Sequence, residues 1–205
     1  MARSRSAVDG VLTAAGVVGP LLFVTDWAVL GAIRSHYSPI NDAISRLAET
    51  GAPTRAAMTV GFIIYGGGLV AYAASPLSGL PRAVKILLAG TGVSTFGVAA
   101  FSLDAAGRGN AHATFAGVGY ATLAAAPVVA AGIWVGTADH GPWVRVSVVA
   151  GLVTAAFLIA SLFAPSHGLL QRVGLTVGDA WVVATAVRAL YTRRLSGAPP
   201  TASSG

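Results

Sequence analysis

Apolar residues run along the chain in six long stretches that are separated by short polar segments. A helix needs about 20 mostly apolar residues to cross a bilayer core, and each stretch reaches that length. Several are apolar around their whole circumference, which is typical of helices that contact lipid as well as one another. The pattern predicts an all-α, polytopic membrane bundle with transmembrane helices at residues 8–33, 54–74, 82–104, 111–137, 142–164 and 168–191.

The connection after the first span is the longest, and its apolar residues are periodic. Four of them fall at i, i+3, i+4 and i+7, which is one face of a helix: Ile40, Ala43, Ile44 and Leu47. Ser38-Pro39 is typical of a helix start and Gly51 of a helix stop. The sequence predicts a short amphipathic helix at residues 38–49 on the membrane interface, either as a lid over the bundle or as a surface anchor.

Composition supports a membrane domain with short tails. Only 10% of the 205 residues are charged, whereas about a quarter are charged in a typical soluble domain. We expect an N-terminal tail at residues 1–7, a membrane domain at 8–191 and a disordered, Pro- and Ser-rich tail at 192–205. The chain has no cysteine, which excludes disulfides and thiolate chemistry.

The net charge of +6 comes from cations scattered at the ends of the spans. That distribution fits topology signals better than a nucleic-acid surface, so no nucleic-acid partner is expected. Cytoplasmic ends are enriched in Lys and Arg, which favours both termini inside a plasma membrane. The bias toward Arg, Ala and Gly favours a bacterial source. With that orientation the cytoplasmic cations are Arg3, Arg5, Arg82, Lys85, Arg145, Arg188, Arg193 and Arg194, against Arg34, Arg46, Arg55, Arg108 and Arg172 outside.

Three polar clusters, distant in sequence, fall at the same membrane face in a six-helix topology. They occupy residues 38–49, residues 104–112 and the start of the sixth span. We expect them to line one outward-facing pocket, with these residues at its surface: Asp42, Ser45, Asp104, His112, His167, Gln171 and Arg172. Clustered titratable residues are a pointer to function rather than a proof of it.

Two catalytic schemes remain open for this pocket. Asp104, His112 and His167 are residue types that bind zinc, and a bound zinc would activate water against a lipid ester, amide or phosphate. Alternatively, either histidine would act as a base, oriented by Asp104 or Asp42, without metal. Ser45 is a nucleophile in principle, but no G-x-S-x-G elbow accompanies it. The sequence does not decide whether the protein is an enzyme, or whether it has a cofactor.

Binding or transport is the second class of function. Arg46, Arg108 and Arg172 would hold a lipid phosphate at the rim, because the guanidinium matches phosphate bidentately. Two acids, Asp26 and Asp179, fall within spans, where carboxylates normally face the bundle interior and have a partner. The leading expectation is recognition, with or without modification, of a lipid or isoprenoid head group. The alternative functions are a small transporter or proton-coupled carrier, and a structural or accessory subunit of a membrane complex. The expected partners are membrane lipids, and a second copy of the chain or another membrane protein stays open as a further partner.

The first polar cluster also resembles a known family. The run Tyr37-Ser-Pro-Ile-Asn-Asp42-Ala-Ile-Ser45-Arg-Leu-Ala, followed by Gly51-Ala-Pro53, is similar to the first-loop signature of the bacterial membrane family called domain of unknown function 998. Asp104 with His112, and the run at residues 168–172, resemble its other polar positions. The resemblance implies a six-helix membrane domain and supports Asp42, Ser45, Asp104, His112 and Arg172 as positions of interest. It implies no particular reaction.

Overall fold

A computed structural model describes residues 2–137 and 140–196 and contains only helices and connections there. The six long helices are α1 (Ala2–Ile33), α2 (Arg55–Ala74), α3 (Arg82–Ala100), α4 (Asn110–Trp134), α5 (Gly141–Ala160) and α6 (His167–Ser196). All six are long and apolar enough to cross a membrane. The prediction of an all-α, six-helix membrane bundle is therefore confirmed.

Each helix packs against the next one along the chain, and α6 returns to α1 to close the bundle. Short connections make neighbouring helices antiparallel. One end of the bundle, the first-loop face, is formed by residues 34–54, 101–109 and 161–166. The other end, the terminal face, is formed by the start of α1, residues 75–81 and the end of α6. The three predicted polar clusters lie at the first-loop face.

Glycines allow two pairs of helices to approach closely. A Cβ built on Gly68 of α2 would lie 2.9 Å from the Cα of Gly19 on α1, and one built on Gly66 would lie 2.7 Å from the carbonyl oxygen of Gly92 on α3. Membrane helices associate mainly through such close packing, because lipid tails are as apolar as the helices themselves. The glycine-rich centre of α2 therefore serves packing within the bundle.

Several helix ends differ from the predicted ones. The third and fifth spans end at Ala100 and Ala160, four residues before the predicted boundaries at 104 and 164. The N-terminal segment is helical from Ala2 onward, and α6 continues to Ser196. Helix formation does not stop at the edge of the lipid, which is why apolarity alone misplaces these ends. Residues 197–205 of the predicted disordered tail lie outside the described residues.

The predicted amphipathic helix at residues 38–49 is replaced by a turn and a short 3-10 helix, Ile44–Ala48. Ser38 begins the turn, where its carbonyl accepts the Asp42 amide at 2.7 Å and its own amide donates to the Asp42 carboxylate at 2.8 Å. Ile44 and Leu47 are buried as their spacing predicts, but Ile40 is exposed. The α-helix does not form because backbone groups of this segment bond to side chains of α6 instead.

Candidate functional site

Arg172 of α6 attaches the first loop to the bundle. Its Nη1 donates to the carbonyl oxygens of Pro39 at 2.7 Å and Asp42 at 2.9 Å, and its Nη2 donates to the Tyr37 hydroxyl. The guanidinium also lies 5.2 Å from the centre of the Trp27 ring. Only 5% of Arg172 is exposed. The residue is therefore a clamp on the loop backbone rather than a cation at an open rim.

The first turn of α6 is shaped to receive the loop. A Cβ on Gly168 would lie 2.3 Å from the carbonyl oxygen of Asp42, so this position has room only for glycine. The Leu169 amide donates to the Ile40 carbonyl at 2.9 Å. One turn further, the Gln171 side-chain oxygen accepts the Ile44 amide at 2.8 Å. These contacts hold the 3-10 helix against α6.

The charged residues of the loop pair with one another. Arg34 donates to the buried carboxylate of Glu49 at 2.5 Å and also to the carbonyl of Arg46. Arg46 lies 3.5 Å from Asp42 and 3.5 Å from Glu49 in two further ion pairs. Asp42 and Arg46 therefore stabilise the loop, and the structure places neither of them in the groove described next.

A groove opens at the first-loop face between α4, the end of α5 and the start of α6. We call it the histidine groove, because His112 and His167 both line it, together with Ser45, Gln171 and Tyr120. Its volume is about 830 Å³, which is in the range of small-molecule sites. Away from these polar residues the lining is mainly small and apolar: Ala113, Ala116, Gly117, Ala121, Ala124, Ala155, Leu158 and Ile159.

A smaller inner pocket of about 50 Å³ lies behind the groove. Ser45, His112, Tyr120 and Gln171 line both cavities, so the polar end of the groove is also the wall of the inner pocket. The inner pocket reaches Tyr65 of α2, deep in the bundle. Polar groups thus extend from the first-loop face toward the centre of the protein.

His112 has a defined orientation. Its Nδ1 lies 2.9 Å from the carbonyl oxygen of Phe101, and the residue is buried. Because a carbonyl oxygen only accepts, Nδ1 carries the proton, and Nε2 of the neutral ring has the lone pair. His167, at the first turn of α6, lines the same groove and is half-buried.

Asp104 does not join the two histidines. Its carboxylate accepts the amides of Ala106 and Arg108, each at 2.9 Å, and the Arg108 guanidinium at 3.3 Å. The hydrogen bond from the Arg108 amide is the largest of the effects that lower the pKa of Asp104. Within residues 2–137 and 140–196 no three His, Asp or Glu side chains are close enough to hold a metal. The zinc ligands predicted from the sequence, Asp104, His112 and His167, are not assembled, because Asp104 closes its own turn.

The three arginines predicted at a phosphate-binding rim also have other partners. Arg172 bonds to the loop backbone, Arg46 pairs with acids of the loop, and Arg108 pairs with Asp104 at the surface. None of the three is among the residues that line the histidine groove. The structure therefore does not form the predicted arginine rim.

Two tyrosines belong to the site although they were not predicted. Tyr120 accepts a hydrogen bond from the Gln171 side-chain amide and lines both cavities. It follows His112 by about two helical turns, a spacing that places both on one side of α4 and could have revealed it. Tyr37 accepts from Arg172, and burial raises the pKa of its hydroxyl.

The two acids within spans have different surroundings. Asp179 is 2% exposed, and its Oδ1 accepts the Tyr65 hydroxyl at 2.6 Å. Asp26 lines a cleft between α1 and α2 and lies against Gly61. Within the described part of the chain the Oδ2 atoms of both residues have no hydrogen-bond partner. Asp179 therefore has a hydrogen-bond partner, as predicted, on one of its two carboxylate oxygens.

Comparison with known proteins agrees with this architecture. A family model described as "Protein of unknown function (DUF998)" matches residues 17–188, which include all the residues of the histidine groove. No curated protein and no solved structure matches the chain. The family that the first-loop motif resembles is confirmed. This chain, with its six candidate spans, is a multi-pass membrane protein that belongs to the DUF998 family of proteins of unknown function.

Proposed function

We propose that the protein binds a lipid or isoprenoid in the histidine groove, with the head group at Ser45, His112 and His167. The observation that carries this proposal is the lining of the groove. One end has polar, hydrogen-bonding side chains, and the remainder is mainly apolar and continues along membrane-spanning helices. An amphiphile has the same division between a polar head and an apolar chain.

Selectivity would come from the head group. A lipid tail that moves from the bilayer into the groove exchanges one apolar surface for another, so burying the tail contributes little free energy. Hydrogen bonds to His112, His167 and Ser45 are instead made inside an apolar environment, where they are stronger than in water. A ligand with a hydroxyl, carbonyl or similar neutral head group suits these partners.

Chemical modification of the bound head group is an additional proposal. With Nδ1 bonded to Phe101, His112 presents the nitrogen that general-base catalysis requires. His167 lines the same groove and would serve as the second acid–base group. Turnover of a lipid alcohol, ester or amide by the wild type and its loss in His112→Gln would support an enzyme. Tight binding without turnover would leave a binding protein.

A groove-filling substitution tests the binding proposal. A Cβ on Gly117 meets nothing within 4 Å, so Gly117→Phe should fold and place its ring in the groove. Val118, the next residue, is exposed and does not line the groove, which makes Val118→Phe the matched control. The probe is a long-chain isoprenoid alcohol with a photoactivatable label, added to the detergent-purified protein. We expect labelling of α4 and α5 that Gly117→Phe reduces at least about tenfold, the effect of losing roughly 1.4 kcal/mol. Equal labelling in both variants would refute the groove as the binding site.

A proton-coupled carrier is the second candidate, and the buried Asp179–Tyr65 pair favours it. Tyr65 lines the inner pocket, which shares its wall with the groove. Ionisable residues inside membrane proteins often mark proton pathways. Uptake of protons into liposomes during movement of the isoprenoid alcohol, lost in Asp179→Asn, would support transport. Binding without proton uptake would exclude it.

For orientation we propose that both termini lie in the cytoplasm of a bacterial cell and that the groove opens outward. The excess of cations at the terminal face supports this placement. Because the sequence has no cysteine, a single introduced cysteine is a unique label. An impermeant maleimide should label Ala105→Cys in intact cells and Arg194→Cys only after lysis. The reverse pattern would invert the topology.

A further inference from the structure

We infer that the hydroxyl of Tyr120 donates a hydrogen bond to the head group, so that the ligand of the histidine groove has to present an uncharged acceptor oxygen. This role rests on the proposed function of the groove and names the kind of atom that the site selects. A carbonyl oxygen and a hydroxyl oxygen on a lipid or isoprenoid share the required chemistry. A chain of hydrogen bonds that can run in only one direction imposes the role.

The direction of this chain is set at the first loop. The backbone nitrogen of Ile44 lies 2.8 Å from the side-chain oxygen of Gln171. Because a backbone N–H only donates, it fixes which end of the Gln171 amide is oxygen and which is nitrogen. The amide nitrogen also only donates, and its partner is the hydroxyl oxygen of Tyr120. Tyr120 therefore accepts from Gln171, and its own proton has to point toward a different acceptor.

The protein does not supply that acceptor. Among the residues that the structure describes, 2–137 and 140–196, the hydrogen bond with Gln171 is the only one that the Tyr120 hydroxyl makes. Tyr120 is half-buried and lines both the groove and the inner pocket. The inner pocket has a volume of about 50 Å³ and the groove about 830 Å³, so a ligand of lipid size lies in the groove. A donor without a partner in apolar surroundings costs free energy, which an acceptor oxygen on the ligand would recover.

Gln171 also holds the hydroxyl at the polar end of the groove. The same amide bonds to Ile44, the residue before Ser45, and both Ser45 and His112 line the wall that Tyr120 shares. A serine hydroxyl can donate or accept, whereas the bond from Gln171 leaves Tyr120 with a proton to donate. Tyr120 is therefore the residue that determines specificity at this end. A site built to form a hydrogen bond discriminates strongly against an analogue that lacks the matching group.

A cycle of two ligands and two proteins tests this role. The ligands are a long-chain isoprenoid ketone and its isostere in which a methylene group replaces the carbonyl oxygen. Displacement of the photoactivatable isoprenoid alcohol from the detergent-purified full chain gives both affinities. In the wild type we expect the ketone to bind about tenfold more tightly than the isostere, the effect of one hydrogen bond in an apolar site. In Tyr120→Phe the two ligands should bind within about twofold of each other, because the coupled partner is absent.

This ratio separates a lost contact from a disturbed structure. A groove that is merely looser in Tyr120→Phe would weaken both ligands alike and leave the ratio as it is in the wild type, which would overturn the inference. Tyr191→Phe is the matched control, since Tyr191 is 62% exposed and lines neither cavity. It should keep the wild-type ratio, and loss of the ratio in this control as well would also overturn the inference.

The isoprenoid alcohol, compared with the hydrocarbon of the same chain, forms the second arm of the experiment. If Tyr120→Phe removes the preference for oxygen in both arms, the site accepts a hydroxyl as well as a carbonyl. If it removes the preference only for the ketone, the site selects a carbonyl. A preference for oxygen that survives in both arms would show that Tyr120 does not bind the head group.

The carbonyl stretch of the bound ketone reports the hydrogen bond directly. A ¹³C label at the carbonyl isolates this band in an infrared difference spectrum, and the band shifts to lower wavenumber when the oxygen accepts a hydrogen bond. We expect it to move to higher wavenumber in Tyr120→Phe and to stay unchanged in Tyr191→Phe. If Gly117→Phe prevents binding of the ketone but Tyr120→Phe leaves the band unchanged, the inference is wrong and the groove remains the binding site. Binding that Gly117→Phe does not affect would instead refute the proposed function.

Discussion

The Nη1 atom of Arg172 lies 2.9 Å from the main-chain carbonyl oxygen of Asp42, although the two residues are 130 positions apart in the chain. The same nitrogen also bonds to the carbonyl of Pro39. One buried side chain of α6 therefore satisfies the backbone of a loop that begins after α1. Because Ser45 follows in that loop, the contact also positions one wall of the histidine groove.

Replacing Arg172 should release the first loop. Arg172→Met keeps much of the side-chain volume but removes every donor, and hydrogen bonds from a charged group contribute about 1.5–3 kcal/mol each. We expect a loss of about 3 kcal/mol in stability, measured as a lower Tm in detergent, and faster hydrogen exchange at residues 37–44. Arg172→Lys should restore only part of it, because one ammonium group cannot replace the fork.

The control for that experiment is Arg108→Gln, which removes an arginine whose side chain is 80% exposed. Exposed substitutions normally change stability by less than about 0.5 kcal/mol. A Tm for Arg172→Met equal to that of Arg108→Gln would show that the clamp does not stabilise the loop.

Two helical glycines should respond oppositely to alanine. A Cβ on Gly168 would lie 2.3 Å from the Asp42 carbonyl oxygen, whereas one on Gly117 meets nothing within 4 Å. We expect Gly168→Ala to destabilise the protein by about 1–3 kcal/mol through overpacking. Gly117→Ala should be neutral or stabilising by up to about 1 kcal/mol, because alanine is the better helix former. Thermal unfolding of the two variants side by side measures the difference, and equal Tm values would contradict the close approach of loop and helix.

Most of the fold could be predicted from the sequence because the bilayer imposes it. A span requires a length of apolar residues that few other structures need, so all six helices were found. The predicted helix ends were less accurate. Helix α3 ends at Ala100 because the chain that follows forms a turn around the Asp104 carboxylate. Hydropathy does not predict such a local hydrogen-bonded turn. The prediction of an α-helix in the first loop was wrong for a related reason. Gln171 and Arg172 form hydrogen bonds with the backbone groups that an α-helix would have paired with one another.

The site was predictable only in part. Topology alone brings the starts of α4 and α6 to one face, and His112 and His167 do line one groove. The sequence could not show that the Asp104 carboxylate accepts hydrogen bonds from the amides of its own turn. Every residue except proline has a backbone amide, so residue identity does not mark these partners. Nor could it show that Arg172 bonds to the first loop, since its partners are backbone carbonyl oxygens, which every residue has.

The pairing of Tyr65 with Asp179 should be measurable as a coupling energy. Tyr65→Phe removes the donor to a buried oxygen, and we expect a loss of about 1–3 kcal/mol. Asp179→Asn keeps an acceptor of the same shape and should be tolerated better than Asp179→Leu. In a double-mutant cycle, Tyr65→Phe with Asp179→Leu should cost less than the sum of the single changes. Strict additivity in thermal unfolding would mean that the two side chains do not interact.

The turn that follows α3 should depend on the charge of Asp104. Amides of the turn, Arg108 first, bind the carboxylate and hold its pKa below the usual value for an aspartate. The interaction is therefore fully present above that usual pKa and is lost as pH falls through the lower, folded pKa. Protection of the Ala106 and Arg108 amides from hydrogen exchange, corrected for the intrinsic rate, should decline only in that acid range. Asp104→Asn should lose protection at every pH while the amides of α4 stay protected. Protection of the turn that is unchanged in Asp104→Asn would show that the carboxylate is not what closes it, and Asp104 would again be available as a partner for His112 and His167.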